Sequence, residues 1–210
     1  MVSTIKGFER GRLRSFPPIF KEWIKANSEI ARAWRSAQDV PWWYNERASL
    51  SLFAGAIWRA GGFAFEEYSD EKREIKKHTR TLGSEYPGRV DLYFSWAGYD
   101  FIAESKFVWS GFSRNDSGAP KRLRDRLKRA CTDIRQTHPH GQRRLAIVFA
   151  MPYIRKPYME DVDDRIYRWI DLLADLDATA YAWVFPACAR TLRSSDKDYC
   201  PGAAVIIREI

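Results

Sequence analysis

The sequence predicts an α/β layered fold with a mixed sheet, and three observations carry this. Helical and strand patterns alternate along most of the chain in the order α-β-β-β-α-β-α-β-β, which implies helices packed on a central sheet. Hydrophobic residues make up 45% and charged residues 30% of the chain, which excludes a fully disordered polypeptide. A chain of 210 residues buries roughly 70% of its unfolded surface, so folding requires neither disulfide nor metal.

Residues 1–40 read as a basic N-terminal extension and residues 41–210 as the α/β domain. Within the extension, Pro18 stands near the start of a helix through Phe20, Trp23, Ile24, Asn27 and Ile30, which recur at roughly helical spacing. Lys6, Arg10, Arg12, Arg14, Lys21 and Lys25 make this segment either a basic arm or a solvated cap on the core. After Pro41 a helix runs from Tyr44 to Arg59, with Asn45 as N-cap and Leu50, Phe53 and Ile57 on one face. Gly61-Gly62 ends it. Phe63 to Tyr68 is a short strand, and the charged stretch 69–84 is expected to be a surface loop or short helix.

Val90, Leu92, Phe94 and Trp96 alternate with Asp91, Tyr93 and Ser95, the period of a strand. Ala97-Gly98 is a turn, and Tyr99 to Trp109 is the next strand. Residues 110–119 carry loop chemistry. Pro120 opens a helix to about Gln136 with Leu123, Leu127, Ala130 and Ile134 on one face. An apolar strand (144–153), a helix (159–175) and two last strands (179–185 and 203–207) complete the pattern.

Lys and Arg total 35 against 27 Asp and Glu, a net charge of +8. This points to a polyanionic partner or to a solubilising surface. There is no run of about 18 apolar residues, so no membrane partner is expected. The polar, basic start lacks an apolar signal segment. Three cysteines, widely spaced and without a CxxC pair, argue against a disulfide framework or thiolate zinc site. A cytoplasmic location is therefore expected.

The chemistry concentrates in Gly88-Arg89-Val90-Asp91 and Glu104-Ser105-Lys106. Glu104 and Lys106 are two apart on a strand and share a face, while Ser105 points the other way. If Ala97-Gly98 is a two-residue hairpin turn, Trp96 faces Tyr99 and Asp91 falls opposite Glu104, about 5 Å away. A bulge would break that facing. Two carboxylates so placed repel unless a cation lies between them, and Lys106 and a divalent metal both qualify. The Ser105 carbonyl adds a hard oxygen. Oxygen donors without His or thiolate suit Mg²⁺ or Mn²⁺. Such an ion, with a lysine beside it, serves phosphodiester hydrolysis. A plain salt-bridge ladder among Asp91, Glu104 and Lys106 is the alternative.

This G-R-x-D, strand, turn, hydrophobic-A-E-x-K pattern resembles the PD-(D/E)xK nuclease superfamily, also called restriction-endonuclease-like, over roughly residues 44–153. The resemblance implies a three-layer α/β fold and metal-dependent cleavage of nucleic acid. Asp91 and Glu104 match its acidic residues and Lys106 its lysine. Glu46, one turn before Leu50 on the inward stripe, matches the helix-borne Glu of many members. Metal ligands would then be Asp91, Glu104, Ser105 and Glu46. No Q-x-x-x-Y follows the lysine. In a bacterial or phage setting such a nuclease serves defence, repair or mobile-element processing.

Lys121, Arg122, Arg124, Arg126, Lys128 and Arg129 cover the polar faces of the helix after Pro120. With Arg89 they are candidates for phosphate contact, or simply a solvated face. DNA is expected before RNA as substrate. A homodimer would suit double-strand cutting, and a partner protein would suit a chain with no separate recognition domain. A non-catalytic nucleic-acid-binding or assembly subunit of the same fold is the other reading.

Overall fold

A computed structural model describes residues 3–75, 82–111, 118–138, 140–155, 161–194 and 197–210. The elements are β1 (Ile5–Glu9), α1 (Pro17–Ala33), α2 (Glu46–Arg59), β2 (Phe63–Ile75), β3 (Leu82–Trp96), β4 (Tyr99–Gly111), α3 (Ala119–Arg135), β5 (Arg143–Tyr153), α4 (Val162–Ala174), β6 (Ala180–Phe185) and β7 (Ala203–Glu209). Seven strands form one mixed sheet in the order β1-β6-β7-β5-β4-β3-β2. Among the described residues, only β4 and β5 run parallel, joined through α3, as a parallel pair requires a crossover.

Strand alternation sorts the core into two layers. Leu145, Ile147, Phe149 and Met151 of β5 pack with α1 and α2, while Ala146, Val148 and Ala150 pack with α3 and α4. Helices therefore cover both faces of the sheet, in a three-layer arrangement. The central strands are apolar on both sides because neither side meets water.

Local chemistry fixes most boundaries. Asn45 Oδ1 accepts from Ala48 N at 3.0 Å and starts α2. Trp42 is buried and donates its indole N–H to the Cys200 carbonyl at 2.9 Å, plugging the core ahead of α2. Ala97 and Gly98 both take positive φ, 52° and 79°, the requirement of a type I′ hairpin turn. Ala97 is an uncommon occupant, but the turn sets the expected register, from Trp96↔Tyr99 to Leu92↔Ala103.

Two expectations change. Residues 69–75 and 82–84 are not loop or helix: they extend β2 and β3 into a long hairpin with Arg73↔Glu85 in register, and residues 76–81 lie outside the described residues. The first forty residues also enter the main fold. β1 pairs with β6, Ile5↔Phe185, and Ile19, Phe20, Trp23 and Ile24 of α1 are buried in the core. The lysines and arginines named there are exposed, as a solvated cap requires. Of the loop expected at 110–119, Ser110 and Gly111 belong to β4, and 112–117 lie outside the described residues.

Candidate active site

The site lies where β3 and β4 part. Val90 packs in the α3/α4 layer and Leu92 in the α1/α2 layer. Residues two apart on a regular strand share a face, so the pleat is interrupted at Asp91. Glu67 on β2, between the pairs Glu66↔Leu92 and Tyr68↔Val90, has φ +54°. Ion pairs from Arg47 (2.6 Å) and Arg89 (3.2 Å) hold its carboxylate. The β3–β4 ladder stops at Leu92↔Ala103.

This corrects the expected facing of Asp91 and Glu104. The turn and register are as expected down to Leu92↔Ala103, but the irregularity falls at Asp91 itself. Asp91 reaches across the gap instead. Its Oδ2 accepts from Ser105 N at 2.7 Å and lies 3.1 Å from Ser105 Oγ. A side-chain carboxylate thus takes the place a strand partner would fill for a buried N–H.

Glu46 closes the gap from α2. Ser105 Oγ lies 3.3 Å from its Oε1, and the Phe107 backbone N–H also donates to its carboxylate. Its carboxyl is held above the ordinary value. Burial is the main cause and the Asp91 charge adds to it, while Lys106, the Phe107 amide and the Ser105 hydroxyl pull it back. Lys106 Nζ donates to the Ser105 carbonyl at 2.7 Å and pairs with Asp133 of α3 at 3.0 Å. Two carboxylates, one carbonyl and one ammonium therefore meet around Ser105.

Glu104 lies two residues before Lys106 on β4. It is 4% exposed and shares the β4 face of Ile102 and Val108, which pack with α3 and α4. Among the described residues, no three His, Cys, Asp or Glu side chains converge as a metal-holding group. Ser105, expected to contribute only its carbonyl, links Asp91 and Glu46 through its hydroxyl and amide. The signal was present in the sequence. Ser105 faces away from Glu104, and that direction is the α2 side, where Glu46 also points.

Of the seven phosphate-contact candidates, Lys121, Arg124, Lys128, Arg129 and Arg89 are exposed, while Arg122 and Arg126 are half-buried. Arg89 pairs with Glu67. Leu123, Leu127, Ala130 and Ile134 form the buried stripe of α3. The helix lies against β4, and its Asp133 holds Lys106.

No family model, curated protein or solved structure matches the chain. No described helix is long and apolar enough to cross a membrane.

Proposed function

We propose that the chain is a metal-dependent nuclease of restriction-endonuclease-like fold that hydrolyses phosphodiester bonds, DNA before RNA and internally rather than from an end. The observation that carries this reading is the Lys106 ammonium on the Ser105 carbonyl beside Asp91 and Glu46. A carbonyl that already accepts a cation, with carboxylates next to it, is a hard-oxygen donor set that fits Mg²⁺ or Mn²⁺. Asp91, Glu46 and the Ser105 carbonyl would hold that ion. Glu104 is the carboxylate the family pattern adds from the neighbouring face. When bound, such an ion supplies charge for the scissile phosphate and acidity for water.

The chain's own groups do the rest. Lys106 has two partners, so its ammonium sits at a set place where it can orient the attacking water or stabilise charge on phosphorus. Asp133 keeps it positioned. The cations of α3 and Arg89 hold the backbone of the nucleic acid. A duplex cut on both strands needs two such sites, hence a homodimer, and a partner protein would supply target choice.

One observation favours the second reading, a non-catalytic nucleic-acid-binding subunit. Asp91 and Glu46 satisfy the Ser105 and Phe107 amides, which purely structural carboxylates would also do. Cleavage of labelled single- and double-stranded DNA and RNA in Mg²⁺, Mn²⁺ or EDTA separates the two. Metal-dependent cutting that falls at least about a hundredfold in Lys106→Ala supports the nuclease. Tight, salt-dependent binding by a wild type that cuts no substrate supports the subunit. In either case Lys128→Ala is expected to lower the slope of log affinity against log salt by about 1.

A further inference from the structure

Beyond the ends of the parallel pair β4 and β5 lies a pocket of about 350 Å³, at the small end of ligand sites. Three of its walls are aromatic: Trp43, Trp109 and Tyr153. Trp109 and Tyr153 stand edge to face with ring centroids 6.4 Å apart. Polar groups join them: Arg155, and Ser194 and Asp198 from one hydrogen-bonded turn. The frame is fixed. Ile154 and Tyr199 exchange backbone hydrogen bonds at 2.9 Å each, tying the segment that carries Ser194 and Asp198 to the end of β5.

The pocket continues the candidate active site along the same face. Phe107 and Trp109 are in ring contact at 5.5 Å, and Ser105 shares their side of β4. Four residues from Ser105 to Trp109 span about 13 Å. At about 3.4 Å per stacked nucleotide that is the reach of a few nucleotides. Trp43 stands three residues before Glu46. The same two segments therefore supply both places.

Aromatic walls favour a flat, polarisable ring. A carboxylate and a hydroxyl beside the rings select a ring edge with N–H donors. An exposed arginine at the mouth suits a phosphate. We propose that this pocket binds a nucleobase bearing an exocyclic amine, stacked against Trp109 with its amine on Asp198 and its phosphate at Arg155. This deepens the nucleic-acid reading and rests on it for the source of the ring. The ligand is either a base turned out of a strand or a free nucleotide.

Isothermal titration of the full chain in EDTA, with the four deoxynucleoside 5′-monophosphates and with a four-nucleotide single strand, tests this. The expected result is saturable binding with the thymine nucleotide weakest by about tenfold, since its ring has no exocyclic amine. Trp109→Ala, at a position 38% exposed and so safe for folding, should weaken all bases by about tenfold. Asp198→Asn should instead narrow the gap between thymine and the others. A strand that binds tighter than a mononucleotide identifies a base within a polymer, and equal affinities identify a free nucleotide. Absence of binding at millimolar nucleotide, or affinities that neither variant changes, would overturn the proposal. Binding without cutting in Mg²⁺ would sustain the pocket and remove the nuclease reading. Cutting without nucleotide binding would do the reverse.

Discussion

Along β4, the segment from Phe101 to Ala103 and the segment from Ser105 to Phe107 meet their neighbours differently. In the first, the β3 side is a regular ladder down to Leu92↔Ala103, and Phe101 stacks on Phe94 with centroids 4.7 Å apart. All three residues are buried apolar groups. In the second, β3 has turned away at Asp91, and the amides of Ser105 and Phe107 receive carboxylates from Asp91 and Glu46. The difference teaches how a sheet makes a polar site. A break in the pleat of one strand strips its neighbour of backbone partners. Charged side chains then enter the core because buried amides demand acceptors.

The sharpest way to break the contrast is to damage the first segment. Phe101→Ala should cost about 3–5 kcal/mol, read as a fall in the urea midpoint with unchanged slope. Asp91→Ala should cost less, about 1–3 kcal/mol, by leaving the Ser105 amide without its acceptor. Asp91→Asn retains an acceptor, so it should recover most of that stability while metal-dependent cleavage stays lost. If Asn restored cleavage too, Asp91 would be a strand cap and nothing more. Ser105→Ala removes the hydroxyl but keeps the amide, and should cost about 1 kcal/mol in the same urea experiment.

The smallest effect concerns pH. Glu46 has a raised carboxyl, so the folded state binds its proton more tightly than the unfolded chain does. Its contribution is fully present below about pH 4.5, the ordinary value, and is lost as pH rises through the raised folded value. In EDTA, Glu46→Gln should therefore gain stability relative to wild type above that window. Urea titrations from pH 4 to 8 check this, and a parallel offset at every pH would contradict it.

Much of this contrast was legible in the sequence, for a physical reason. The two-residue Ala97-Gly98 turn determines the register by arithmetic, and the inward stripe of α2 places Glu46. The pleat break at Asp91 was not legible, because it depends on Glu67 of a third strand adopting positive φ under two arginines. The outer part of β2 was missed because Ser69-Asp70-Glu71-Lys72-Arg73-Glu74 has no apolar alternation to register. Only pairing with β3 makes it a strand. β1 was missed because five residues flanked by basic chain carry too short a period. Its partner β6 lies at the other end of the sequence.

That last pairing has a consequence during synthesis. Ile5 and its partner Phe185 are 180 residues apart along the chain. At about 5–20 residues per second, β1 waits roughly 10–40 s on the ribosome before β6 emerges. The rings of Phe16, Phe20 and Trp23, all buried in the finished protein, lack most of their covering strands for that interval. The nascent chain therefore offers an apolar segment to any chaperone at the exit tunnel, and the sheet edge closes only once β6 has emerged.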